Sequence, residues 1–433
     1  MFSPIAIVGR ACVLPGAHSP EALWDLVRAG TIATGPVPAG RWAGRADDLL
    51  CGPGDDSTDR SWSDQGGYVT GFEDLWDPEG FALAAADLGG LDRLARLVLH
   101  TARAALADAG DVRPGTVDRR RTTAVFGNLG YPSESMTHWA RAVHGEDVAA
   151  DPRNRFMSGG TAELLAAALG LAPDAFCLDT ACASSIYAIK LACDRLHDGA
   201  ADVALAGAVS ASDDLFIHVG FCALQAMSAS GRSRPFHADA DGLVPAEGAA
   251  MVVLKRLADA RKHGDRILGV IRGVGLSNDG RGAGLLVPSK EGQVRAVAAA
   301  YEQSGLSPSD IGLLECHATG TVVGDKTELG SMSQVYEQAS DVPLGSLKGN
   351  LGHLITAAGT AGLIKVLSAL EHGVRPPSRH SGPVNAALAG SPFRLLTEAE
   401  PWTGPRRAAV SAFGFGGNNA HLIVEAHDPA LPC

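Results

Sequence analysis

The stretch "AFCLDTACASSIYAIKLACDRLHDG", residues 175–199, decides the fold. Its first five residues are a short apolar run of strand type. Downstream, Ile186, Ile189, Cys193 and Leu196 recur at three- and four-residue spacing, the stripe of an amphipathic helix. Gly199 then stops that helix. Cys182 therefore falls at a strand-to-helix turn, beside the free N–H groups of a helix N-terminus. The partial positive charge there favours a thiolate. The competing reading is a buried structural cysteine, the commoner fate of a free thiol.

Working outward, strand-like runs occur at 4–9, 122–127, 202–209 and 249–255, and helical patterns at 20–30 and 92–110. A second set follows from about residue 266. It has a strand in "RILGVIRGVGLSND", a helix at 291–305 closed by Gly305, and a strand at 311–317. A helix at 325–339, another at 354–373 and a closing strand at 421–426 complete it. Alternation of this kind implies an α/β architecture with a covered sheet, and the two sets read as two copies of one α/β unit. Residues 30–75, rich in Gly, Pro, Asp and Trp, read as a long structured surface excursion.

The chain has 433 residues, 46% hydrophobic and 19% charged, ample for a large core. Its net charge of −12 argues against nucleic acid, which demands a concentrated basic surface. Eight scattered cysteines form neither a CxxC pair nor a zinc-type cluster, so no metal site is expected and a reducing compartment is. No apolar stretch reaches the ~18–20 residues that a membrane span needs, and the N-terminus lacks a basic leader. A soluble, cytoplasmic protein is the expectation.

Three further stretches carry chemistry. "ECHATGTVVGDKTE" (315–328) puts His317 at a strand end, and "KGNLGHLITAAGTAG" (348–362) puts Lys348 and His353 around a Gly-rich turn. "SAFGFGGNNAH" (411–421) is a Gly-dense loop whose N–H groups can approach a ligand closely. Singly, each has a bland reading: a satisfied histidine, a solvated lysine, a turn. Asp325 and Glu328, three apart on one helix, would by default cap and decorate it. Together, one cysteine, two histidines and a Gly-rich loop supply a nucleophile, two imidazoles and an oxyanion hole.

These motifs, with "IAIVGRACVLPGAHSPEALWDLV" and "GRSRPFHADADGLVPAEGA", resemble those of β-ketoacyl synthases over nearly the whole chain. The stretches around Cys182, 213–236 and "GHLITAAG" (352–359) are similar to those of iterative type I polyketide and polyunsaturated fatty acid synthases. The resemblance implies a thiolase-like fold: two duplicated βαβαβαββ halves, 1–258 with Cys182 and 259–433 with His317 and His353, in a layered α-β-α-β-α body. It assigns Cys182 as the acylated nucleophile, and the N–H groups of Cys182 and Phe415 as the oxyanion hole. His317 and His353 become neutral donors to an enolate, and Lys348 a support for the second histidine. Thr319 and Thr321 contact a phosphopantetheine arm, Phe415 also gates the acyl chain, and Asp325 and Glu328 are structural. The implied reaction is decarboxylative Claisen condensation of a Cys182-held acyl group with malonyl-acyl carrier protein. No cofactor bound by the domain is implied. An acyl carrier protein, other synthase domains and a second copy, pairing through about 175–185, are the implied partners. A synthase-like acyltransferase forming esters or amides, or a non-elongating partner subunit, are the alternatives. Ala183, Gly349 and Asn418 depart from the family's usual Ser, Ser and Thr, and none removes a catalytic group.

Overall fold

Ile5–Val13 forms β1, nine residues all buried, which is why the segment is apolar but for Arg10, itself buried and paired with Glu371 at 2.6 Å. The structure, a computed structural model, describes residues 2–428 apart from 43–45, 54, 56–58, 111–117, 149–150, 152–158 and 283; Cys433 lies outside the described residues. The first half continues with β2 (Thr122–Asn128), β3 (Phe176–Leu178), β4 (Val203–Ser210) and β5 (Gly248–Arg256). Their order is β3-β2-β4-β5-β1, parallel from β3 to β4 and antiparallel from β4 to β1.

The second half holds β6 (Gly269–Asn278), β7 (Leu313–Glu315), β8 (Val342–Gly345), β9 (Phe393–Leu395), β10 (Arg407–Gly414) and β11 (Asn418–Glu425). With β9 set aside as an extra outer edge, the order is β8-β7-β10-β11-β6. It makes the same switch from parallel to antiparallel pairing. Strand for strand, the halves repeat one topology. They join where β1 meets β6, with Ile5 opposite Ile271, into a single 11-stranded sheet.

The helices are α1 (Pro20–Arg28), α2 (Arg93–Asp108), α3 (Glu134–Val143), α4 (Gly160–Leu169), α5 (Ser184–His197), α6 (Asp214–Ala223), α7 (Lys290–Ser304), α8 (Val322–Val335) and α9 (Ala358–His372). Ile186 and Ile189 of α5 and Leu363 and Ile364 of α9 share one core with strands of both halves, so these two helices form the middle layer. Outer cores under α2 and α4, and under α7 and α8, complete five layers. Twelve of the fifteen residues of α9 are buried, so its sequence shows no polar face. The outer helices approach through glycines. A Cβ on Gly9 of β1 would lie 2.4 Å from the Ala105 carbonyl of α2, and one on Gly275 of β6 would lie 2.0 Å from that of Ala296 on α7.

The excursion at 30–75 is less superficial than its composition suggests. Its end buries Tyr68, Val69 and Phe72, and Arg41 bridges Glu247 and Asp214 at 2.6 Å each. Helices α3, α4 and α6 and strands β8 to β10 are not anticipated from the sequence. The supposed Gly-dense loop at 411–421 is mostly ladder, since Gly414 and Asn418 already pair between β10 and β11. Among the described residues, no helix is long and apolar enough to cross a membrane.

Candidate active site

Chain order and sheet order bring the strand ends of the two halves to one place. Cys182 follows β3 on a single 3₁₀ turn, Ala181–Ala183, that runs straight into α5. The turn is tight enough to push Ala181 to φ 50°, a left-handed backbone that a non-glycine residue rarely adopts. Local hydrogen bonds hold it there: Ala181 N–H donates to Asp179 Oδ1 (2.9 Å), Thr180 N–H to Ser184 Oγ (2.9 Å) and Ser184 O–H to the Ala181 carbonyl (2.6 Å). Against this elbow lies the β10–β11 hairpin. A Cβ at Gly414 would sit 2.7 Å from the Thr180 carbonyl, so only glycine lets Phe415 come this close.

Cys182 is 5% exposed among Leu129, Ile217, Phe221 and Ile355. That setting overrides the helix terminus. Burial pushes the thiol up to about 11, against the pull of the Lys348 ammonium and of hydrogen bonds from the Phe415 and Cys182 N–H groups. The expectation of a resting thiolate is thus corrected: the apolar pocket keeps the proton on sulfur. His353 Nε2 lies 3.0 Å from Sγ. The His317 ring stands edge-on to that of His353, centroids 5.4 Å apart, and to Phe413 at 6.0 Å. Burial first, then the nearby Lys348 charge, hold both histidines well below the ordinary histidine value, so both are neutral near pH 7.

Lys348 is buried rather than solvated, and burial lowers it from its ordinary value while Glu315 and Glu328 pull it back up. Asp325 and Glu328 do not cap their own helix; they hold the loop that carries His317. Glu328 accepts the N–H groups of His317 and Ala318, each at 2.7 Å, and Asp325 accepts those of Thr319 and Gly320 (3.1 Å) and Phe236 (2.8 Å). Burial raises Glu328 to about 7 and Asp325 to about 6. Glu315 ties the two catalytic loops together, accepting the Leu347 N–H at 2.7 Å and the ammonium of buried Lys365 at 2.6 Å. Sequence reasoning missed this pair, whose one trace is a lysine in the middle of an otherwise apolar helix.

Cys182, His317, His353, Thr319, Thr321 and Phe415 line one cavity of about 320 Å³, so the residues singled out by sequence converge. Lys348 stands behind them. Thr319 and Thr321 hydroxyls are 3.1 Å apart in its wall, and Phe415 packs on Phe221 with centroids 6.4 Å apart. Leu224, Gln225 and Leu285–Val287 close its outer part, and only the apolar run "LLVP" following Gly284 hinted at that. Ligand atoms of Cys182, His317 and His353 lie within 4.8 Å of one another, near enough to hold a cation as well as to share a substrate.

The sequence profile of the β-ketoacyl synthase N-terminal domain matches residues 2–260, and that of the C-terminal domain residues 268–381. The chain belongs to the β-ketoacyl synthase family. It is an acyltransferase-type condensing enzyme with the thiolase-like fold. Among its relatives, a phenolphthiocerol/phthiocerol polyketide synthase of Mycobacterium tuberculosis is 36% identical over 99% of this chain and 28% of its own length. A mycocerosic acid synthase-like polyketide synthase from the same organism is 37% identical, over 98% of this chain and 20% of its own. This synthase thus spans about a quarter of the relatives it matches. Among solved structures, the PfaC keto synthase-chain length factor superposes with a TM-score of 0.92 at 36% identity, covering 99% of this chain and 48% of that one. The Streptomyces albus JA3453 oxazolomycin ketosynthase domain OzmH KS7 gives 0.87 at 32% identity, covering 99% and 76%.

Proposed function

We propose that this domain extends an acyl chain by decarboxylative Claisen condensation with malonyl units carried on the phosphopantetheine of an acyl carrier protein, in polyketide assembly. The observation that carries the reading is the Sγ–Nε2 separation of 3.0 Å between a protonated thiol and a neutral imidazole. Sγ attacks the incoming thioester as its proton passes to His353 Nε2. The C–S bond to pantetheine breaks, and the departing sulfur takes the proton. The tetrahedral oxygen meets the N–H groups of Cys182 and Phe415, donors that need no reorganisation during the reaction. In the second half-reaction the malonyl C–CO₂ bond breaks, and its electron pair forms an enolate whose oxygen accepts hydrogen bonds from His317 and from His353, whose ring proton sits on Nε2 once the thioester has replaced the thiol as its neighbour. The enolate carbon then attacks the Cys182 thioester, a C–C bond forms, the C–S bond breaks, and Cys182 leaves as a thiolate that takes a proton from water.

Burial, reinforced by the Lys348 charge, keeps both imidazoles neutral, and Thr319 and Thr321 hold the pantetheine arm. We take the molecule to act as a homodimer within a larger synthase, dividing into halves at 258/259. The half-buried apolar strand β3 at the sheet edge, adjoining the Cys182 turn, supports pairing with a second copy. Acyl-carrier and malonyl-carrier thioesters supplied together should yield carbon dioxide and a β-ketoacyl carrier two carbons longer. Transfer of the acyl group to an alcohol or amine with no carbon dioxide released would favour an ester- or amide-forming enzyme instead.

A further inference from the structure

A second cavity, of about 400 Å³, is lined by Gly231–Arg234 and His237, while Asp241 and Gly242 of the same segment line the active-site cavity. Arg232, Arg234, Arg379, His237 and His380 line it, and among the described residues no carboxylate does. In a chain of net charge −12, three arginines around one concave pocket are an exception that calls for an anion. Arg232 and Arg379 form no ion pair among the described residues and present exposed guanidinium groups at the rim. Arg234 pairs with Asp241 at 3.2 Å and donates to Ser230 Oγ at 3.2 Å, yet its Nε is buried with no partner among the described residues. His237 accepts the Asp239 N–H on Nδ1 at 2.9 Å, which leaves its other ring nitrogen as the proton carrier. Gly349 belongs to the same wall. A Cβ there would lie 2.9 Å from the Arg379 carbonyl, so glycine allows the arginine segment to close in.

We infer that this cavity binds the phosphate group of a small phosphate ester. Guanidinium forks suit the paired oxygens of phosphate, and a concave, sub-nanometre pocket suits a compact anion better than the broad face of an acidic protein. The site stands behind the catalytic loops. Ser233 donates its hydroxyl to the Lys348 carbonyl at 2.6 Å, and the Phe236 N–H donates to Asp325, the carboxylate that holds Thr319 and Gly320. The inference does not depend on the condensation reaction. The ester could come from free coenzyme A or from the phosphodiester of a carrier's pantetheine arm.

The test is titration calorimetry of the intact domain with pyrophosphate, with coenzyme A and with a phosphopantetheinylated carrier protein, before and after alkylation of Cys182. Saturable binding that survives alkylation is expected. It should weaken about tenfold or more in the Arg232→Gln/Arg379→Gln variant, since two charge-assisted contacts are lost, and likewise in Ser381→Glu, which adds a carboxylate at the exposed rim. These exposed changes should leave the melting temperature unchanged. Binding of pyrophosphate and coenzyme A identifies the free ester as the source; binding of the carrier-borne arm alone identifies the carrier. No saturable binding by any probe, equal binding by the variants, loss on alkylation, or tighter binding of a polyglutamate peptide than of pyrophosphate would overturn the inference.

Discussion

Cys182 and His353 weigh differently on the two half-reactions. Cys182→Ala removes the acyl acceptor and leaves both imidazoles aimed into the cavity, so acyl loading should vanish while malonyl decarboxylation persists. His353→Ala should slow acyl loading, because the buried thiol loses its proton acceptor, and should lose decarboxylation by about 10²–10³-fold, the usual cost of one donor to a developing oxyanion. Carbon dioxide release from malonyl carrier, run beside mass-spectrometric acyl loading, reads both; normal decarboxylation by His353→Ala would remove the enolate role. The residue types at these positions are legible in the sequence because their chemistry demands Cys and His beside glycines. The protonation of Cys182 is not legible, because it depends on Leu129, Ile217, Phe221 and Ile355, which lie far from it along the chain.

At the level of elements, the loop between β7 and α8 rests on two buried carboxylates rather than on its own turn geometry. Glu328 titrates at about 7 in the fold against an ordinary 4.5, and Asp325 at about 6 against 3.8. Both hold their protons more tightly folded than unfolded. Their contribution is therefore fully present below about pH 4 and is lost as pH rises through about 6–7. Glu328→Gln removes one such titration. Urea unfolding at pH 5 and pH 8 should show the wild type losing about 2 kcal/mol more than the variant across that interval, from about 1.4 kcal/mol per pKa unit. Parallel pH dependences would show that Glu328 does not carry this titration. Reading Asp325 and Glu328 as helix decoration fails for a geometric reason: at three-residue spacing they share a face, and only the tertiary fold shows that this face looks inward at the His317 backbone. Helices α4 and α6 escape notice similarly. "GTAELLAAAL" and "DLFIHVGFCA" are apolar nearly all round, so neither shows the periodic stripe that betrays α2 and α5.

At the scale of the whole molecule, duplication is what builds the site: the first half delivers Cys182, and the second delivers His317, Lys348, His353 and Phe415. The alternation of strands and helices made the two copies visible. The matching strand order did not show in the sequence, since β8 is only four residues long and the end of β10 reads as part of a Gly-dense loop. Light scattering at micromolar concentration should give twice the 44.5 kDa of the chain, because edge strand β3 needs a partner; a monomer alone would contradict pairing. The central claim, that carbon–carbon bond formation passes through an acyl group on one thiol, meets its most direct test in peptide mass spectrometry after incubation with an acyl-carrier thioester. The account predicts the acyl mass on the peptide containing Cys182, lost in Cys182→Ala. Acylation mainly at Cys193 or Cys316, or none at Cys182 under conditions of turnover, would contradict it.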